Sequence, residues 1–202
     1  MPRKRSGEGS LFTAGRPSLD RAAELADAGQ IEAAVALLVE LLHLRPTDGQ
    51  VRREWQRLSW VLAVLREAET SNPPQIELRV YRQVAVIRLE GVLTQCAEEG
   101  GLQTHFEQQV HFLRRLLTLG MRRFVVDMSQ ITFLSSYFLS VLLEWTRVIR
   151  CGGGQICVAG MPEEIRRVFR LGRLLRTIRC HDRLEQALEF LRADALPGDR
   201  QR

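Results

Sequence analysis

Val125-Val-Asp-Met-Ser-Gln-Ile-Thr-Phe-Leu-Ser-Ser136 is the stretch whose reading decides the fold. Phe124 to Met128 is a short, nearly continuous apolar run, the pattern of a strand buried on both faces. Near Ser136 the spacing changes to threes and fours. Phe138, Leu142, Trp145, Val148 and Ile149 then share one face of a helix that ends at Gly152, Gly153 and Gly154. A buried strand feeding an amphipathic helix through a Ser-containing turn calls for a sheet with helices packed on it.

The same alternation extends to either side. Downstream, Ile156 to Ala159 is a second buried strand, and Pro162 fits the first turn of a helix holding Ile165, Val168 and Phe169. A short strand is expected near Thr177 to Arg179, and Asp182 with Glu185 forms a capping box for a last helix, Leu184 to Leu191. Upstream, Phe106, Val110, Leu113, Leu116 and Leu117 line a helix from about Leu102 to Leu119, stopped by Gly120. Before it, Ile76, Leu78 and Val80 alternate, and Val84 to Leu89 runs on to Gly91, which reads as a strand pair with a short turn.

Ser71, Asn72, Pro73 and Pro74 punctuate the chain, because two prolines cannot join a helix interior. Before them the period is helical throughout. Ser18 caps a helix running through Leu25. A second helix follows Gly29 and carries Ile31, Ala34, Leu38 and Leu41 to Leu44, where Pro46 ends it. Thr47 with Gln50 has the form of a capping box for a third helix holding Val51, Trp55, Leu58, Val61 and Leu62. The expected organisation is a tail over 1–17, a helical unit over 18–70, a linker over 71–75, an α/β domain over 76–192 with a mixed sheet of about five strands, and a tail over 193–202.

Composition bounds the function. With 202 residues, 45% apolar and 26% charged, the chain can bury a core, and its longest apolar run, Ala33 to Val39, stops at Glu40, far short of a membrane span. Met1 to Ser10 is polar and shows no secretory signal, so a cytoplasmic protein is expected. The net charge is +5, and Lys4 is the only lysine among 29 basic residues. Arginine favours bidentate pairing with carboxylate and phosphate, while a GC-rich coding bias gives the same composition. Cys96, Cys151, Cys157 and Cys180 form no CxxC pair, so buried, reduced thiols and no metal or other cofactor are expected. The three glycines precede a strand and lack a following Lys-Ser or Lys-Thr, so they form no phosphate loop, and no enzyme is expected.

The order of elements, together with Asp127-Met-Ser129 and Phe133-Leu-Ser-Ser136, resembles the STAS domain of anti-sigma factor antagonists over about residues 76–192. In that family a strand ends in an Asp-Leu-Ser type turn, and a loop of the form Phe-(Leu/Met)-Asp-Ser-Ser-Gly-Leu opens the next helix. Gly152 to Gly154, Pro162 and Leu171-Gly-Arg-Leu174 match later signposts. The resemblance implies partner switching, in which the antagonist binds an anti-sigma factor that is also a serine kinase until phosphorylation ends the contact. Ser136 takes the position of the phosphorylated serine. Ser135 stands in place of the family's Asp, Tyr137 in place of a second small residue, and Phe138 in place of its Gly. Ser135 and Ser136 read equally as helix N-caps, a role compatible with phosphoacceptance. Tyr137 is the better partner-facing aromatic, since Phe138 shares helical spacing with Leu142 and Trp145. Ser135, Tyr137, Phe138 and Ser140 complete the candidate partner surface beside Ser136.

In the helical unit, Gly29, Ile31, Ala34, Leu38 and Pro46 resemble one tetratricopeptide repeat. One such repeat cannot bury its face alone, so the unit is expected to pack on a partner, on a second copy as a homo-oligomer, or on the α/β domain. A helical hairpin of no repeat ancestry fits the same residues. Arg166, Arg167, Arg170, Arg173, Arg176, Arg179 and Arg183 oppose only Glu163, Glu164 and Asp182. They read as a solvated face or as an acid-binding surface with Arg166 and Arg170 as contacts, and without interleaved aromatics nucleic acid is not expected. Two functions follow: a phosphorylation-controlled antagonist, or a non-phosphorylated scaffold in a signalling complex.

Overall fold

The structure, a computed structural model, describes residues 17–71, 75–81, 83–93 and 102–193, with the backbone alone for 102–107. Apart from Pro17 and Ala193, the expected tails lie outside the described residues, as do most of the linker and Cys96. Three helices, α1 (Leu19–Asp27), α2 (Ile31–Leu44) and α3 (Gly49–Ser71), come first. They are followed by β1 (Ile76–Tyr81), β2 (Val84–Leu93), α4 (Leu102–Thr118), β3 (Arg123–Leu134), α5 (Ser136–Cys151), β4 (Gln155–Ala159), α6 (Glu163–Leu171), β5 (Arg179–His181) and α7 (Leu184–Ala193). The strands form one sheet in the order β1-β2-β3-β4-β5, with β1 antiparallel to β2 and the other pairs parallel.

Local chemistry explains the helix starts. The Ser18 hydroxyl accepts from the Arg21 N–H at 3.1 Å, as its position predicts. The α3 cap, by contrast, is Asp48 rather than Thr47. One Asp48 carboxylate oxygen accepts from the N–H groups of Gln50 and Val51 at 2.9 and 3.2 Å, so a single side chain satisfies two amides that the helix leaves unpaired.

The expected strand Phe124 to Met128 is longer, running from Arg123 to Leu134. Its ladder with β2 slips twice, between Arg88 and Glu90 and between Gly91 and Val92, and each slip inserts one extra β3 residue. Polar Ser129, Gln130 and Thr132 therefore interrupt the apolar run without ending the strand. The last strand is also shifted, to Arg179–His181, because Leu174–Arg176 closes a 3-10 turn that takes Thr177 as its end.

Period-two alternation sorts the core. Ala85, Ile87, Leu89, Phe124, Val126, Met128, Ile156 and Val158 face one side, where α4, α5 and α6 bury them. Val84, Val86, Val125, Cys157 and Ala159 face the other, against Ala187 and Leu191 of α7. Beyond α7 this second face is polar. Glu77, Arg88 and Asp127 are register neighbours across β1, β2 and β3, linked by ion pairs of 3.5 and 3.3 Å.

The helical unit packs on the α/β unit. Ala22, Ile31, Leu58 and Val61 belong to the same continuous core as Val80, Met121 and the sheet. Glu67 of α3 pairs with Arg115 of α4. At the α1–α2 turn Gly29 has φ +81°, and a Cβ there would lie 2.7 Å from the Tyr81 ring and 3.1 Å from the Val80 carbonyl. Only glycine combines that backbone with that approach.

Candidate functional site

The candidate site is the junction of β3 and α5. The Ser135 N–H donates to the Leu93 carbonyl at 3.0 Å, fixing the junction to the end of β2. The Ser135 hydroxyl accepts from the Phe138 N–H at 3.3 Å, so Ser135 is the N-cap. Ser136, the first helical residue, is exposed, and its hydroxyl is not used by the cap. Ser140, one turn along, is exposed on the same side, and Tyr137 is half-buried against the core.

Phe138 is fully buried, its ring meeting Trp145 edge-to-face at 5.8 Å and 87°. Phe138, expected among the candidate partner contacts, is therefore a core residue instead. Two apolar residues that periodicity missed are exposed near the junction. Val92 and Phe133, paired in the β2–β3 ladder, are each 52% exposed. The second slip of β3 turns Phe133 to solvent, and a register slip leaves no mark in the sequence pattern. Farther back along β3, the buried Asp127 carboxylate accepts from the Ser129 N–H at 3.0 Å and pairs with Arg88. Gly160, at φ +66°, lies so near Ser129 that a Cβ would come within 2.8 Å.

The arginine cluster divides. Arg166 is committed to Asp182 at 2.7 Å and to Glu163 at 3.7 Å, and Arg170 pairs with Glu163. Asp182 thus faces Arg166 rather than standing free as a cap. Arg150 donates to the Thr177 carbonyl, and Arg179 lies 4.4 Å over the Phe190 ring. Arg167, Arg173 and Arg176 remain exposed, near Val168 and Leu171 on the outer side of α6, with Arg173 in the left-handed region at φ 56°.

Of the cysteines, Cys157 is buried and its thiol is pushed up to about 12, while burial raises Cys180 to about 11. The register sets Cys157 beside Arg179 and Cys180 beside Val158, so the two thiols point to opposite faces. Cys151 is exposed, contrary to the expectation that all are buried. Among the described residues no group of three His, Cys, Asp or Glu could hold a metal, and no helix is long and apolar enough to cross a membrane.

A putative anti-sigma factor antagonist from Thermotoga maritima has a TM-score of 0.49 at 18% identity, covering 59% of this chain and 96% of its own. Bacillus SpoIIAA in its phosphorylated form has a TM-score of 0.44 at 20% identity, covering 57% and 97%. An anti-sigma factor antagonist from Mycobacterium paratuberculosis has a TM-score of 0.47 at 18% identity, covering 60% and 98%. The family model of the STAS domain matches residues 75–187, more than half of the 202, and the chain belongs to the STAS domain family.

Proposed function

We propose that this protein is a regulator of the anti-sigma factor antagonist type, working by partner switching through the β3–α5 junction. The observation that carries the reading is the division of labour between two serines. Ser135 caps α5, and Ser136 presents a free, exposed hydroxyl at the first helical position. A phosphate there adds about −1.5 to −2 charge at the positive end of the helix dipole, which changes a contact surface without refolding the domain. Ser136, Ser140 and Tyr137, with Phe133 and Val92 alongside, form the partner face. In this reading the partner is an anti-sigma factor that is also a serine kinase, as the resemblance implies, and the chain itself regulates rather than catalyses.

The test is incubation of the full chain with the cognate anti-sigma kinase and ATP, followed by mass spectrometry. A phosphate on Ser136, absent from Ser136→Ala, supports the reading, and an unmodified Ser136 refutes it. The substitution of the family's Asp by Ser135, together with the exposed apolar pair Val92 and Phe133, favours a second reading as a non-phosphorylated scaffold. In that case Ser136→Asp leaves partner binding unchanged and Phe133→Ala abolishes it.

A further inference from the structure

The free edge of the sheet lies in a groove, and its hydrogen-bonding pattern specifies an occupant. Among the described residues β1 pairs only with β2. The Gln75 carbonyl accepts from the Glu90 N–H at 2.9 Å, which sets the parity of the antiparallel ladder. Glu77, Arg79 and Tyr81 thus turn their N–H and C=O groups to β2, whereas Ile76, Leu78 and Val80 turn theirs outward. No described residue hydrogen-bonds those outward groups. They border a groove of about 1030 Å³ whose far wall is the start of α2 and the Leu65–Glu69 side of α3.

We propose that this groove binds an extended, basic peptide segment of a partner protein, which adds to β1 as a sixth strand. Backbone donors and acceptors spaced along an edge are satisfied by another strand, and natural edges are usually covered or charged to prevent that pairing. Here the edge is polar on one face and open at Ile76 and Leu78, the Gly29 turn closing it at Val80. Charge selects the sequence of the guest: of the charged residues lining the groove, Arg79 and Arg88 are committed to Glu77 and Asp127, whereas Glu69 and Glu90 make no ion pair with a described residue, on a chain whose net charge is +5. A basic side chain is therefore favoured at this acidic margin of a basic protein.

A second copy of the chain fits less well. Two β1 strands paired about Leu78 would match Glu77 with Arg79 and Ile76 with Val80, both favourable pairs, so the obstacle is steric. The Gly29 turn already stands at the Val80 carbonyl, and the α2–α3 wall projects beside the strand, so a narrow peptide enters where a folded sheet does not.

The experiment pans phage-displayed linear seven-residue peptides on the immobilised full chain and measures the synthesised binders by fluorescence anisotropy. Strand addition predicts enrichment of Lys or Arg. It also predicts a period-two response to N-methylation, with alternate positions losing about five- to tenfold in affinity, the value of one interstrand hydrogen bond, and the intervening ones little. Glu69→Arg and Glu90→Arg, both exposed, should each weaken the basic peptides, and the amides of Ile76 and Leu78 should gain hydrogen-exchange protection on binding. Recovery of no peptide, tolerance of N-methylation at every position, or protection elsewhere overturns the proposal. So does a dimer in sedimentation that the peptides dissociate, which would assign the edge to a second copy.

Discussion

Replacing Gly29 with alanine probes how firmly the helical unit is seated on the sheet. The backbone cost comes first: an alanine held at φ +81° loses about 1–2 kcal/mol relative to the right-handed region. The steric cost adds to it. The new Cβ would stand 2.7 and 2.8 Å from two Tyr81 ring carbons, and moving a packed ring costs about 1–3 kcal/mol. Together Gly29→Ala should destabilise the chain by about 2–5 kcal/mol. In a Tyr81→Ala background the ring is gone and the backbone term and the 3.1 Å approach to Val80 remain, so the same substitution should cost about 1–2 kcal/mol. The difference is a coupling energy that a double-mutant cycle reads directly. Urea unfolding followed by far-ultraviolet circular dichroism and by tryptophan fluorescence is suited to it, since Trp55 and Trp60 report α3 and Trp145 reports the sheet side. Because the core is continuous, both probes should follow one transition. An equal cost of Gly29→Ala in both backgrounds, or a total below about 0.5 kcal/mol, would refute the reasoning.

Three further outcomes are expected. Ser135→Ala should lower stability by about 1 kcal/mol through loss of the cap, while Ser136→Ala stays within about 0.5 kcal/mol, and equal effects in chemical denaturation would show the cap misassigned. With a disulfide reagent near neutral pH, exposed Cys151 should react quickly, half-buried Cys180, raised to about 11, more slowly, and buried Cys157, raised to about 12, only as fast as the protein unfolds; fast labelling of Cys157 counts against its placement. Burial and the charge of Arg179 lower the His181 pKa, so the unfolded chain takes up this proton at higher pH than the folded one. The stability held by neutral His181 is complete above its unfolded value of about 6.5 and is lost as pH falls through the folded value, so urea midpoints should fall less on acidification in His181→Gln than in the parent.

How much of this was legible in the sequence depends on the range of the interaction. The element order followed from local periodicity: the change of spacing after Ser71, the run Phe124 to Met128 and the helical repeat from Phe138 to Ile149 were enough. The same spacing favoured Phe138 as core, and its contact with Trp145 is that reading realised. What escaped depended on partners distant in the chain. The length of β3 and the exposure of Phe133 are set by two slips against β2, and the seat of the helical unit by Gly29 meeting Tyr81. The commitment of Arg166 and Arg170 to acidic neighbours likewise needs Asp182 and Glu163 brought together in space. Composition could count those arginines but not show which of them were occupied.

The double slip in β3 has a consequence for change over time. Up to Asp127 the strand is locked residue for residue to β2 and β4, and an insertion there would turn every following core side chain to the wrong face. Beyond Asp127 two extra residues are already absorbed, so the count between core and serine tip is no longer tied to the count in the neighbouring strand. That segment acts as a spacer of adjustable length. Selection can lengthen, shorten or resurface the tip at Phe133 to Ser136 while the interior beneath it stays the same.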